Sequence, residues 1–148
     1  MNKTLIILIL AVIVLSWNFI FTEKKVGLTD QAWVLQGLSS ALAHKLAIAK
    51  YWSEKGSLPD NAEWIKEKPA ITVDLSQTIV ESIEVGVDGP GVISVRYTTR
   101  PDLASPAQID GRKINLVPVV LNGKLDWTCK GTLDITLMPR NCSTMAEK

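Results

Sequence analysis

Cys129 and Cys142 are the only cysteines of the chain, and His44 is its only histidine. Thiols and imidazoles are the groups best suited to nucleophilic, redox or metal chemistry, so their spacing decides what the sequence supports. Twelve residues separate the two cysteines, which is not the C-x-x-C spacing of a redox-active pair. Two thiols and one imidazole also leave a structural zinc shell a ligand short, unless a carboxylate or another chain completes it. The simplest remaining role is a structural disulfide. Such a bond persists in an oxidising compartment, a bacterial periplasm or the cell exterior.

The other reactive groups fall into no catalytic pattern, and the sequence predicts neither an enzyme nor a cofactor or metal. His44, between Ala43 and Lys45, reads as a surface or packing histidine. Glu81 and Glu84 fall on one expected strand and read as solvated carboxylates rather than an acid–base pair. Gly89-Pro90-Gly91 carries a proline and fits a hairpin turn better than a phosphate loop. Of the five tryptophans, Trp17 reads as interfacial, Trp33 and Trp52 as lying on or near the apolar side of a helix, and Trp127 as packing against the disulfide loop. Net charge is +1, and without Lys3 the remainder balances at 15 basic against 15 acidic side chains. That balance argues against a nucleic-acid binder, and no small-molecule partner is evident.

The elements that must position the cysteines follow from hydropathy and period. Leu5 to Phe21 is an uncharged run of 17 residues, which as a helix spans roughly 25 Å against a ~30 Å hydrocarbon core. It reads as an uncleaved membrane anchor if Thr4 and Thr22 join it. A cleaved signal peptide is the rival reading, although Ser16 to Phe21 offers bulky residues where a peptidase needs small ones. Lysines flank both ends and leave the orientation open, and an oxidised cysteine pair places the C-terminal domain outside the cytoplasm. Residues 1–28 are thus the anchor and junction, and residues 29–148 the external domain.

Beyond Val26 to Asp30, with Thr29 or Asp30 as its cap, a helical period puts Leu35, Leu38, Leu42, Leu46, Ala49 and Trp52 on one face. This predicts an amphipathic helix of about 26 residues, ended by Gly56 in the left-handed region and by Pro59. Leu58 to Asn61 is turn chemistry, and Ala62 to Lys68 forms one helical turn before Pro69. From Thr78 the period becomes two. Strands are expected over 78–85, 92–98, 113–120 and 124–129, with Asn122-Gly123 the strongest hairpin signal and Pro118 marking an edge or bulge. The fold class is α+β, a long N-terminal helix packed on a four-stranded antiparallel sheet. Within the disulfide loop, Leu133, Ile135, Leu137 and Met138 are expected to dip toward the sheet.

Two stretches carry a resemblance to type IV pilins. KLAIAKYWSEKGSLPDN, residues 45–61, resembles the end of their long helix, where an alanine-rich stretch, an aromatic pair, a glycine and a proline follow in this order. GKLDWTCKGTLDITLMPRNC, residues 123–142, is similar to their C-terminal end, a hairpin strand with W-x-C and a loop returning to P-x-x-C. The resemblance implies that Cys129 and Cys142 close a loop at the head, flanked by Trp127 and Pro139. It implies partners among other pilin or pilus-assembly subunits of the bacterial inner membrane, and a role in adhesion, motility or DNA uptake. The N-terminus departs from the pattern: aligned on Thr4-Leu5-Ile6, Asn2 stands at the leader glycine, Lys3 at the phenylalanine and Ile7 at the fifth-position glutamate. Two readings follow: a structural or minor component of a pilus or pseudopilus, or an uncleaved accessory protein that stays in the membrane and modulates assembly.

Overall fold

The computed structural model describes residues 28–67 and 69–145, so the expected anchor at 5–21 lies outside the described residues. Among the described residues no helix is long and apolar enough to cross a membrane. Three helices, α1 (Leu28–Ser40), α2 (Leu42–Lys55) and α3 (Asn61–Glu67), precede five strands. These are β1 (Val80–Val85), β2 (Ile93–Tyr97), β3 (Lys113–Leu121), β4 (Lys124–Gly131) and β5 (Cys142–Thr144). They form one sheet in the order β1-β2-β3-β4-β5, antiparallel except for the parallel β4–β5 pair. The expected four-stranded antiparallel meander is therefore corrected to five strands.

The long helix is broken once. Ser39 and Ser40 donate their hydroxyls to the Gln36 carbonyl, and Ala41 N–H reaches Leu38 O, a tightened turn. Side-chain bonds back to a carbonyl one turn earlier compete with the helical ladder and bend it. Leu28 is already helical, so Thr29 and Asp30 sit within α1 rather than at its cap. The C-terminus is as expected: Gly56 has φ 73°, and its N–H closes on Trp52 O.

The face that α1 and α2 bury is not the leucine row. Val34, Gly37, Ala41 and Ile48 are buried against the sheet, whereas Leu35, Leu42 and Leu46 are 54, 55 and 65 % exposed. Leu38 is half-buried beside the core, and Trp52 is half-buried. Tyr97 of β2 sets this rotation. Its hydroxyl donates to Val34 O at 3.0 Å, and its ring edge approaches Gly37, where an added Cβ would come within 2.9 Å of that hydroxyl. Only glycine admits the ring there, so the small residues turn inward and the leucines outward.

Loop chemistry holds the rest in place. Asp60 and Glu63 form a capping box at α3, with Glu63 N–H on Asp60 Oδ1 and Asp60 N–H on Glu63 Oε2. That end is clamped to the β1–β2 hairpin by Asn61 Nδ2 on Val85 O and by Gly91 N–H on Pro59 O. Pro118 in β3 pairs with Trp127 of β4, but β2 ends its pairing at Leu116, so the missing N–H of the proline costs no ladder bond. Asn122 and Gly123, both at positive φ, close the β3–β4 hairpin as the sequence predicts.

On the outer face of the sheet Asp88 Oδ2 accepts from Lys113 Nζ at 2.7 Å, Ser94 Oγ at 2.8 Å and Asn115 Nδ2 at 3.0 Å. Lys113, then these two neutral donors, hold the Asp88 carboxyl below its ordinary range. A lowered folded value contributes stability above the unfolded pKa of about 4 and loses it as pH falls through the folded value. Asp88→Ala is expected to cost about 1–3 kcal/mol at neutral pH, because three donors lose their acceptor. The variant should also show less loss of urea midpoint below pH 4 than the parent. An acid limb of equal slope in both proteins would contradict this.

Candidate functional site

The cysteine-bearing strands are brought together at the sheet edge. Cys129 and Cys142 are register partners in the parallel β4–β5 pair, 4.4 Å apart at Cα, and they are bonded. Between them Asp134 turns the chain, its carboxylate accepting from both Thr136 N–H and Thr136 Oγ1, which holds that carboxyl below its ordinary range. Leu133, Leu137 and Met138 are buried, but Ile135 is 68 % exposed, contrary to expectation. The turn puts Ile135 at the outer bend, where it cannot follow its neighbours inward. Pro139 is half-buried and its carbonyl accepts Cys142 N–H, so it forms the return into β5.

The loop is also tied to the helix, a contact that the sequence did not reveal. Gln31 Nε2 of α1 donates to Thr136 O at 2.8 Å. Asp30, Gln108, Arg112, Asp134, Thr136 and Leu137 line an open groove of about 340 Å³ there. Trp127 sits two residues along β4 from Cys129, and the Lys45 ammonium of α2 lies 5.2 Å from its ring centroid. This cation–π contact ties Trp127 to the helix, and Trp127 also packs against the core cluster that contains Leu133, Leu137 and Met138 of the loop.

The remaining candidate residues are engaged separately. His44 is half-buried beside Trp64 of α3, ring centroids 6.3 Å apart, and burial lowers its pKa. Ser40, one turn before it, is bonded to Gln36 O rather than to the imidazole. Glu81 makes an exposed pair with Arg96 at 3.9 Å, and Glu84 is exposed on β1. Surface pairs of that kind are worth little.

What the surface offers instead is area for another chain. Leu35, Leu42 and Leu46 form an uncovered apolar row on the flank of the helix, with Ile135 and the hairpin-tip residues Val120 and Leu121 also exposed. A helix laid on a sheet that ends in a disulfide-closed loop is the architecture the two pilin-like stretches imply, and a family model described as Pilin (bacterial filament) matches residues 31–143. The chain belongs to the pilin family. The match spans α1 to the middle of β5 and so takes in both halves of the helix and both cysteines of this pilin. Comparison with curated proteins finds no match.

Proposed function

We propose that this pilin is a membrane-anchored structural or minor component of a type IV pilus or related pseudopilus. Residues 1–28 supply the anchor and junction, and residues 29–148 form the head outside the cytoplasm. The observation that carries this reading is the uncovered leucine row of α1 and α2. A head that stayed monomeric in water would gain by placing polar residues at Leu35, Leu42 and Leu46, whereas a subunit contact needs them apolar. Other pilin or pilus-assembly subunits are the partners that such a flank fits, and the balanced net charge leaves their recognition to shape and local contacts.

A second reading rests on the N-terminus. Ile7, at the position of the fifth-residue glutamate, makes no ion pair with a neighbour's amine, and Asn2-Lys3 does not match the leader cleavage site. Both favour an accessory pilin that remains uncleaved in the inner membrane and modulates assembly. Determining the N-terminus of the membrane-extracted protein by mass spectrometry separates the two. An intact start near Met1 is expected of the accessory protein. Trimming within the first few residues supports the fibre subunit and excludes the uncleaved accessory, and recovery in the soluble fraction alone contradicts both.

A further inference from the structure

His44 is set into the seam between α2 and α3. Its Nδ1 is closed off from solvent with no hydrogen-bond partner among the described residues, and its ring is half-buried beside Trp64, 6.3 Å between centroids and tilted by 32°. In the neutral imidazole one nitrogen is a donor and the other an acceptor, whereas in the cation both are donors. A bare Nδ1 therefore fits the neutral ring. A second proton would place a charged, unpaired N–H in the seam, which costs far more than an unpaired neutral acceptor. The groups that these elements could offer the ring are engaged elsewhere. Ser40 is bonded to Gln36 O and Tyr51 to Glu63, Glu54 is paired with Lys50 and Glu67 with Lys55, and Asp74 accepts Ser76 N–H. Lys45 turns the other way, to Trp127. Burial is accordingly what lowers the imidazole pKa.

The two ends of α3 are held unequally. Its start is fixed by the capping box of Asp60 and Glu63, by Asn61 Nδ2 on Val85 O at 2.9 Å and by Gly91 N–H on Pro59 O at 2.7 Å. Beyond that start none of its seven residues is buried, and Trp64 is the α3 side chain that packs against the core. The Lys55–Glu67 pair, 3.5 Å apart and about half exposed, adds little. Attachment of the Trp64 end thus rests on the seam that holds His44.

We propose that His44 is an acid-sensitive latch: when its imidazole takes up a proton, the Trp64 end of α3 leaves α2 and the ring reaches water. Ala47 and Tyr51, within about 60° of His44 on α2, are uncovered with it. Leu42 and Leu46 lie about 160° round the helix, on the opposite flank. The change therefore leaves the leucine row as it is and does not depend on the pilus reading. The lowered folded pKa agrees in sign. The neutral ring contributes its full stability above the unfolded value of about 6.5, and that contribution is lost as pH falls from there through the folded value. Below both values, opening of α3 is raised about tenfold for each pH unit that separates them.

The test is a nuclear magnetic resonance titration of the full chain in detergent micelles, where His44, the only histidine, gives a single imidazole Cε1–H signal. Its midpoint should lie below about 6.5, and the Trp64 indole N–H and the α3 amides should move with it. Amide exchange from Trp64 to Glu67, corrected for its intrinsic pH dependence, should rise several-fold across that midpoint while β2 and β3 stay unchanged. This titration leaves the protein unaltered. His44→Phe, which keeps a ring that cannot take up a proton, should lose the acid step and change only in the carboxylate range near about pH 4. Trp64→Ala, which opens the seam, should return the His44 midpoint to about 6.5. A parent midpoint at or above about 6.5, α3 exchange that does not follow it, or the same acid step in His44→Phe would overturn the proposal.

Discussion

Tyr97→Ala should lower the stability of the folded head by about 3–5 kcal/mol, the usual cost of truncating a buried aromatic residue. Tyr97 is fully buried at the junction of β2 with α1, and its ring fills the space that Gly37 leaves open. Alanine there removes the contact that orients the helix, and Gly37 cannot refill the void. Tyr97→Phe keeps the ring and should cost about 1 kcal/mol, because only the bond to Val34 O is lost and that carbonyl sits within a helix. Burial pushes the Tyr97 phenol above its ordinary range. A raised folded value leaves stability intact below the unfolded pKa of about 10 and removes it as pH rises beyond. The parent should therefore lose urea midpoint above pH 10 more steeply than Tyr97→Phe. A Tyr97→Ala midpoint within 0.5 kcal/mol of the parent would contradict this role, since surface changes have effects of about that size.

Removing the disulfide has the next largest expected effect. Cys129 and Cys142 are 13 residues apart in sequence, and closing a loop of that size restricts the unfolded chain by about 3 kcal/mol in the chain-entropy model. The Cys129→Ser/Cys142→Ser protein should show a midpoint shift of that order against the oxidised parent. The loss should be local first. β5 is three residues long and parallel, and apart from the disulfide its register depends on a few main-chain bonds around Gly131. Amide exchange should therefore rise at Ser143 and Thr144 and in the loop of Leu133, Leu137 and Met138 before the antiparallel strands open. Uniform exchange across the sheet in the double variant would show that the bond acts on the whole head rather than on its edge.

The parts of this fold that were legible in the sequence are those governed by local chemistry. Gly56, the Asn122-Gly123 turn and the Asp88 to Gly91 turn each need a backbone conformation that few residues adopt, and each sits where predicted. The helix period was legible too, but the buried row was not. Leucine spacing identifies an apolar stripe, whereas the inward row here includes Gly37 and Ala41, selected by a tyrosine 60 residues later in the chain. β5 escaped notice because three residues show no period, and its pairing depends on the disulfide partner across the loop. The cysteine pair was legible as a structural bond. Its tie to Gln31, the exposure of Ile135 and the short pairing of β5 with β4 at Cys129 to Gly131 depend on tertiary contacts that no spacing encodes.

The exposed leucine row matters functionally only if the head has neighbours. The most direct measurement is mass spectrometry of sheared, purified pili from cells expressing this chain, compared with pili from cells expressing a Leu42→Glu/Leu46→Glu variant. A pilus component should appear in the first preparation and be depleted in the second while both proteins reach the membrane equally. Absence of the parent chain from the purified fibres would contradict the account of this pilin as a fibre component.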